Sequence, residues 1–154
     1  MKKNNLWIVA LLGMALSACR EQKEIKENTS DRDISEMIIS LEQKALAATD
    51  GMAFVELSDT DVVYFDPSLE KKIEGLQQLR AHYENMSNTA PADSFEMIRP
   101  IVQVTQNIAI LTFNLDSYEA GNVTKWNCTE VYRRNLDNQW RIIQTHWSLV
   151  KPIE

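Results

Sequence analysis

The chain has 154 residues, 25% of them charged and 44% hydrophobic, with a formal charge of −6. That is one domain of ordinary globular composition, long enough to bury a sizeable core, and it excludes disordered and collagen-like classes. The acidic balance argues against nucleic acid as a partner, and two cysteines cannot make a disulfide framework.

Residues 1–19 read MKKNNLWIVALLGMALSAC. Lys2 and Lys3 form a basic start, and Leu6 to Leu16 is an apolar run of eleven residues. A membrane-spanning helix needs about 20, so the run suits the core of a signal peptide instead. It closes on Leu16-Ser17-Ala18-Cys19, which resembles the bacterial lipoprotein box. The resemblance implies a signal peptide over residues 1–18, cleavage before Cys19, and acylation of Cys19 as the anchor in a lipid bilayer. It places the protein in the cell envelope, and Arg20 in place of Asp favours the outer membrane over the inner. The processed chain would have 136 residues, a charge of −8, and Cys128 as its one free thiol. Several acyl chains on one Cys would hold stably, since each buried CH₂ contributes about 0.8 kcal/mol.

Residues 20–33 carry four positive and five negative charges and one aliphatic side chain, Ile25. Such a segment cannot offset the cost of ordering, so residues 19–32 are expected to be the lipidated Cys and a tether. Asp33 with Glu36 reads as a helix start, and Ile34, Met37, Ile38, Leu41, Ala45 and Ala48 make one apolar stripe to about Thr49. Asp50-Gly51 breaks it. A short helix is expected over Met52 to Leu57, and a strand over Val62 to Phe65, closed by Asp66-Pro67. Gly75 to about Asn88 repeats Leu76, Leu79, Tyr83 and Met86 at helical spacing.

After Pro91 the texture changes to long strands: Phe95–Thr105, Ile108–Tyr118, Val123–Arg134 and Trp140–Val150. Gln106-Asn107, Gly121-Asn122 and Asp137-Asn138 are the turns between them, so these strands form an antiparallel meander. Helices gathered ahead of such a sheet make an α+β domain over residues 33–150, with a short tail at 151–154.

This order resembles the nuclear-transport-factor-2-like superfamily, which includes SnoaL-like proteins and ketosteroid isomerase. The likeness is nearest to the association domain of calcium/calmodulin-dependent protein kinase II. It is carried by Tyr64-Phe65-Asp66-Pro67, by Ile73-Glu74-Gly75-Leu76 and by His82-Tyr83-Glu84-Asn85-Met86. Pro100-Ile101-Val102, Ile108-Ala109-Ile110, Thr129 to Arg134 and Gln139 to Ser148 continue it. The resemblance implies a cone-shaped, cystatin-like or SnoaL-like fold, with N-terminal helices packed on a curved antiparallel sheet around a deep pocket. It also implies a homodimer or a larger homo-oligomer.

Among residues that could carry chemistry, His82 and His146 are the only histidines, and no metal-ligand or phosphate-loop spacing occurs, so no metal and no cofactor is expected. Alternation over the Thr124–Arg134 strand groups Trp126, Cys128, Glu130 and Tyr132 on one face. A carboxylate among aromatic side chains is desolvated and its pKa rises unless a cation pairs with it. On the neighbouring strands the same parity groups Ile110, Thr112, Asn114 and Asp116, and then Ile143, Thr145, Trp147 and Leu149. The association domain has three pocket arginines; the matching positions here are Asn114, Glu130 and Trp147, so its anion pocket is replaced by an acidic and aromatic one.

The expected pocket lining is therefore Tyr64, Tyr83, Asn114, Trp126, Glu130 and Trp147, open to a small apolar or cationic ligand. The competing structural roles are a Glu130 ion pair with Arg99, Arg133 or Arg134, a core or interface position for His146, and core packing for Tyr64, Tyr83 and Cys128. The expectation for function is an envelope lipoprotein with a non-catalytic, self-associating domain. The alternative is an isomerase, dehydratase or cyclase with Glu130 as general base and Tyr64 or Tyr83 as hydrogen-bond donor.

Overall fold

A computed structural model describes residues 30–48, 51–86 and 92–151. The expected signal peptide, the expected lipidation site Cys19, the expected tether up to residue 29 and the tail from residue 152 lie outside the described residues. The first helix, α1 (Asp31–Ala47), begins two residues before the expected Asp33. The reason is a reciprocal cap: Ser30 Oγ accepts the Asp33 N–H at 3.2 Å, and the Asp33 carboxylate accepts the Ser30 N–H at 3.3 Å. Ser30, Asp31 and Arg32 thus belong to the folded domain rather than to the tether. Every fourth residue of α1 turns inward, burying Ile34, Ile38 and Glu42, with Ala45 beside them.

Helix α2 (Met52–Leu57) has the expected bounds. Gly51 opens it at φ +64°, and a Cβ there would stand 2.5 Å from the Tyr83 ring, so both backbone and space demand glycine. Strand β1 (Ser58–Phe65) starts four residues ahead of the expected Val62. Ile73-Glu74, expected to lead into a helix, forms a short strand β2 (Ile73–Glu74) paired antiparallel with β1. Helix α3 (Leu76–Met86) follows.

The four long strands are β3 (Ser94–Thr105), β4 (Ile108–Glu119), β5 (Asn122–Arg134) and β6 (Trp140–Leu149). They pair antiparallel in sequence order, and the six-stranded sheet runs β2-β1-β6-β5-β4-β3, with β1 parallel to β6. The sheet is curved and unclosed, and the helices pack on it: α1 on β3 and β4, α3 on β1, α2 on β6. Two irregularities shape its inner face. Arg99 at φ +50° lies in a shift of register between Ile98 and Ile101, which keeps Met97 and Val102 both inward. A second shift lies between the pairs Val131–Gln144 and Tyr132–Ile142, which leaves Ile143 unpaired and turns Ile142 and Thr145 to the same side.

The core between helices and sheet holds Ile38, Val55, Val62, Leu79, Leu111, Tyr132 and Ile142, each at most 2% exposed. Each such side chain contributes roughly 1.5–3 kcal/mol through burial of apolar surface. Among the described residues no helix is long and apolar enough to cross a membrane.

Candidate functional site

Strand register stacks the inner face in rows. Met97, Leu115, Trp126 and Leu149 form one row, and Phe113, Cys128 and Trp147 the next. Val102, Leu111, Glu130 and Thr145 lie behind them, followed by Val104, Ala109, Tyr132 and Ile142. Exposure falls along this series, from Leu149 at 43% to Glu130 and Tyr132 at 0%. Trp147 sits edge-on to Phe54, Phe113 and Trp126 at centroid distances of 6.4, 5.9 and 6.0 Å. Phe54 in turn stacks on Tyr83 at 6.3 Å. An aromatic layer therefore separates Glu130 from the more exposed end of the sheet.

Behind that layer the helix stripe delivers a second carboxyl. Glu42, four residues on from Ile38, is 0% exposed, as is Glu130. The Tyr132 hydroxyl lies 2.7 Å from Glu42 Oε2 and 3.0 Å from Glu130 Oε2, and Thr145 Oγ1 donates to Glu130 Oε1 at 3.3 Å. Tyr132 has one proton and gives it to the shorter contact, Glu42. Glu42 Oε1 meets no N–H or hydroxyl donor, and the Tyr132 hydroxyl lies between the two carboxyls. No cation offsets two bare carboxylates in this buried place, so the pair holds a proton, and on Glu130 that proton gives the donor Glu42 Oε1 lacks. Burial pushes both groups up, and Glu130 rises further because it donates to Glu42 and faces its charge.

The sequence expectations meet this geometry unevenly. Trp126, Cys128, Glu130 and Tyr132 share the inner face, and Trp147 joins them. Asn114 does not: β4 turns Ala109, Leu111, Phe113 and Leu115 inward, and Asn114 stands exposed on the outer face, donating to Asn127 Oδ1 at 2.8 Å. Glu130 has no arginine partner. Arg133 binds Asp59 at 2.7 Å and Asp61 at 2.7 Å, Arg134 lies 5.8 Å over the Trp140 ring, and Arg99 is exposed. The hydroxyls within hydrogen-bond distance of Glu130 are those of Tyr132 and Thr145, and neither Tyr64 nor Tyr83 is among them. Tyr64 donates to Asp66 Oδ2 at 3.0 Å, and the Tyr64 and Tyr83 rings lie 6.1 Å apart. Tyr83 still faces the charge of the pair.

Cys128 is buried, and burial followed by the nearby Glu130 pushes its thiol up, the opposite of what a nucleophile needs. His146 points outward, its ring 5.5 Å from Phe65. Glu42 escaped the sequence reading, although its spacing from Ile34 and Ile38 puts it on the apolar stripe. Among the described residues no cluster of His, Cys, Asp and Glu could hold a metal ion. A separate groove of about 250 Å³ opens between α1, α2 and β6, lined by Leu41, Ala53 and Leu57 with Lys44, Glu56 and Arg141.

The outer face of the sheet has a different character. Ile98, Ile101, Gln103, Ile110, Thr112, Asn114, Asn127, Thr129, Val131, Gln144, His146 and Ser148 fall side by side across β3 to β6. None of these twelve paired positions is Asp, Glu, Lys or Arg, in a chain that is 25% charged, and the exposed Arg99 stands in the β3 irregularity between Ile98 and Ile101. At its margins Lys125 pairs with Asp116 at 2.6 Å beside the exposed Glu96 at one end, and Arg133 pairs with Asp59 and Asp61 at the other.

A helix-backed curved sheet with this strand order defines the nuclear-transport-factor-2-like class. Residues 41–152 match the family model of the SnoaL-like domain, and the chain belongs to that family. Its fold is similar to a putative ketosteroid isomerase from Parabacteroides distasonis, with 74% identity, a TM-score of 0.75, and 79% of this chain and 91% of that one covered. It is also similar to an NTF2-like protein of unknown function from Pseudomonas putida, at 20% identity and TM-score 0.70, over 80% of this chain and 91% of that one. The CaMKII hub of S. rosetta matches at 20% identity and TM-score 0.61, over 75% and 96% of the two chains. No curated protein matches the sequence.

Proposed function

We propose that this chain is a lipid-anchored envelope protein whose SnoaL-like domain associates with a second copy of itself through the outer face of the sheet and catalyses no reaction. The uncharged face across β3 to β6 carries the reading. Its mixture of Ile, Val, Thr, Asn and Gln, framed by charges at its margins, has the composition of an interface core inside a polar rim. Ile101, 57% exposed in the single chain, would be covered by the association. The likeness to a CaMKII hub agrees with self-association, and the Leu16-Ser17-Ala18-Cys19 run supports the anchor.

Two experiments test the reading. The mass of the protein extracted from membranes should exceed that of residues 19–154 by the acyl groups, and Cys19→Ser should move it to the soluble fraction. Native mass spectrometry of residues 20–154 should give dimers or larger rings, and any retained extra mass would report a ligand in the aromatic layer. An unmodified Cys19 refutes the anchor, and a monomer refutes the association.

A second reading is favoured by one observation: two carboxyls lie within hydrogen-bond distance of one tyrosine hydroxyl behind an aromatic layer. With the family resemblance of the Parabacteroides distasonis protein, this supports proton transfer next to a carbonyl, with the Glu130–Glu42 pair as the acid–base group. Full burial of both carboxyls weighs against it, because a substrate would have to displace packed rings. Isomerisation of a β,γ-unsaturated ketosteroid, abolished by Glu130→Gln, would establish it; its absence would leave the non-catalytic reading.

A further inference from the structure

Through the Tyr132 hydroxyl, two fully buried carboxyls, Glu42 and Glu130, join helix α1 to the sheet. Glu42 comes from α1, Glu130 and Tyr132 from β5, and Thr145 from β6. The other titratable groups facing the pair are Cys128 of β5 and Tyr83 of α3, with Tyr64 and Asp66 of the β1 end beyond Tyr83. From β3 and β4 only Val102, Val104, Ala109 and Leu111 approach. His82 of α3 packs against Tyr83 and Tyr64 at 5.5 and 5.8 Å, and no Lys or Arg is among the buried residues described, so a negative charge on the pair finds no permanent cation.

We propose that the Glu42–Glu130 pair is a proton-held latch: one shared proton at neutral pH clips α1 to β5 and β6, and its loss on alkalinisation loosens α1 from the sheet. With the proton in place, Glu130 donates to Glu42, Tyr132 donates to Glu42, and Thr145 donates to Glu130, so each hydroxyl proton has an acceptor. When Glu130 releases its proton to solvent, two carboxylates face each other inside the core with the Tyr132 hydroxyl between them. Their repulsion in a medium of low dielectric is relieved most directly by separation. The remaining buried anchors of α1 are Ile34, Ile38 and Ala45, and moving them away uncovers the inner side of β3 and β4.

The test uses the whole protein and two readouts. Infrared spectroscopy of the wild type should show a carboxylic C=O band that persists at neutral pH, disappears as pH rises, and is missing in Glu130→Gln. Hydrogen exchange, corrected for the intrinsic rate at each pH, should show the amides of Ile38 to Ala45 losing about tenfold or more of their protection over that same range. In Glu130→Gln the side-chain amide donates without titrating, so protection of α1 should stay flat with pH. Should that variant fail to fold, Glu42→Gln, which also leaves one carboxyl facing an amide, should give the same flat profile. The proposal is overturned if the wild type has no carboxylic band at neutral pH. It is equally overturned if α1 protection follows one pH course in the wild type and in a folded variant.

Discussion

Replacing Tyr132 by Phe isolates the chemistry of the buried cluster. The ring is 0% exposed and stays in place, so packing and apolar burial are nearly unchanged and only one oxygen is lost. That oxygen lies 2.7 Å from Glu42 and 3.0 Å from Glu130, and neither carboxyl has water to turn to. A hydrogen bond to a charged group contributes about 1.5–3 kcal/mol, and a buried acceptor left without a donor costs a similar amount. The two overlap, because Glu42 keeps the Glu130 proton, so the expected loss is about 2–4 kcal/mol. At roughly 3–5 °C per kcal/mol for a domain of this size, the melting temperature should fall by about 10 °C. Urea unfolding followed by tryptophan fluorescence, with the denaturant slope checked for constancy, measures the loss directly. A change below about 0.5 kcal/mol would refute the reasoning, since a surface substitution does that much.

Other consequences can be checked in the same assay. The Glu130 pKa is raised in the folded state above its unfolded value, so the stability it contributes is complete below the unfolded pKa and is lost as pH rises towards the folded one. Wild-type unfolding free energy should therefore decline from about pH 5 upwards, with a slope approaching 1.4 kcal/mol per pH unit while one extra proton is held. Glu130→Gln should flatten that slope. Gly51→Ala should destabilise by well over about 1 kcal/mol, since a left-handed backbone and a Cβ contact with Tyr83 at 2.5 Å act together. Leu111→Ala, at a fully buried position beside Glu130, should cost about 2–5 kcal/mol.

The helices and strands were legible because their periodicities are clean. The apolar stripe of α1, the isolated MAFVEL helix and the meander with its turn residues appear almost as the structure draws them. The Ser30 cap was also present in the sequence, three residues ahead of Asp33, but the charged segment before it drew Ser30 into the tether.

The site was harder for a physical reason. Alternation fixes sides within a strand but not between strands, and cross-strand register decided that Phe113 and Leu115, rather than Asn114, lie beside Cys128 and Trp126. The fully apolar alternation Ala109, Leu111, Phe113, Leu115 did carry that signal. On β6 the unpaired Ile143 breaks alternation, so Trp140 and Ile142 turn inward along with Thr145 and Trp147. Glu42 could be found only by taking its place on the buried stripe more seriously than its charge. Even then, nothing in the chain near position 42 announces Tyr132 as its partner.

The most direct test of the central claim is the solution mass of residues 20–154, measured by native mass spectrometry and sedimentation for the unaltered sequence and for Thr129→Arg. Thr129 lies between Thr112 and His146 in the middle of the outer face, so an arginine there would put a charge into a two-fold interface twice. The account predicts a dimer or larger ring for the unaltered chain and a folded monomer for the variant. A monomeric unaltered chain, or an oligomer that the arginine leaves intact, would contradict it.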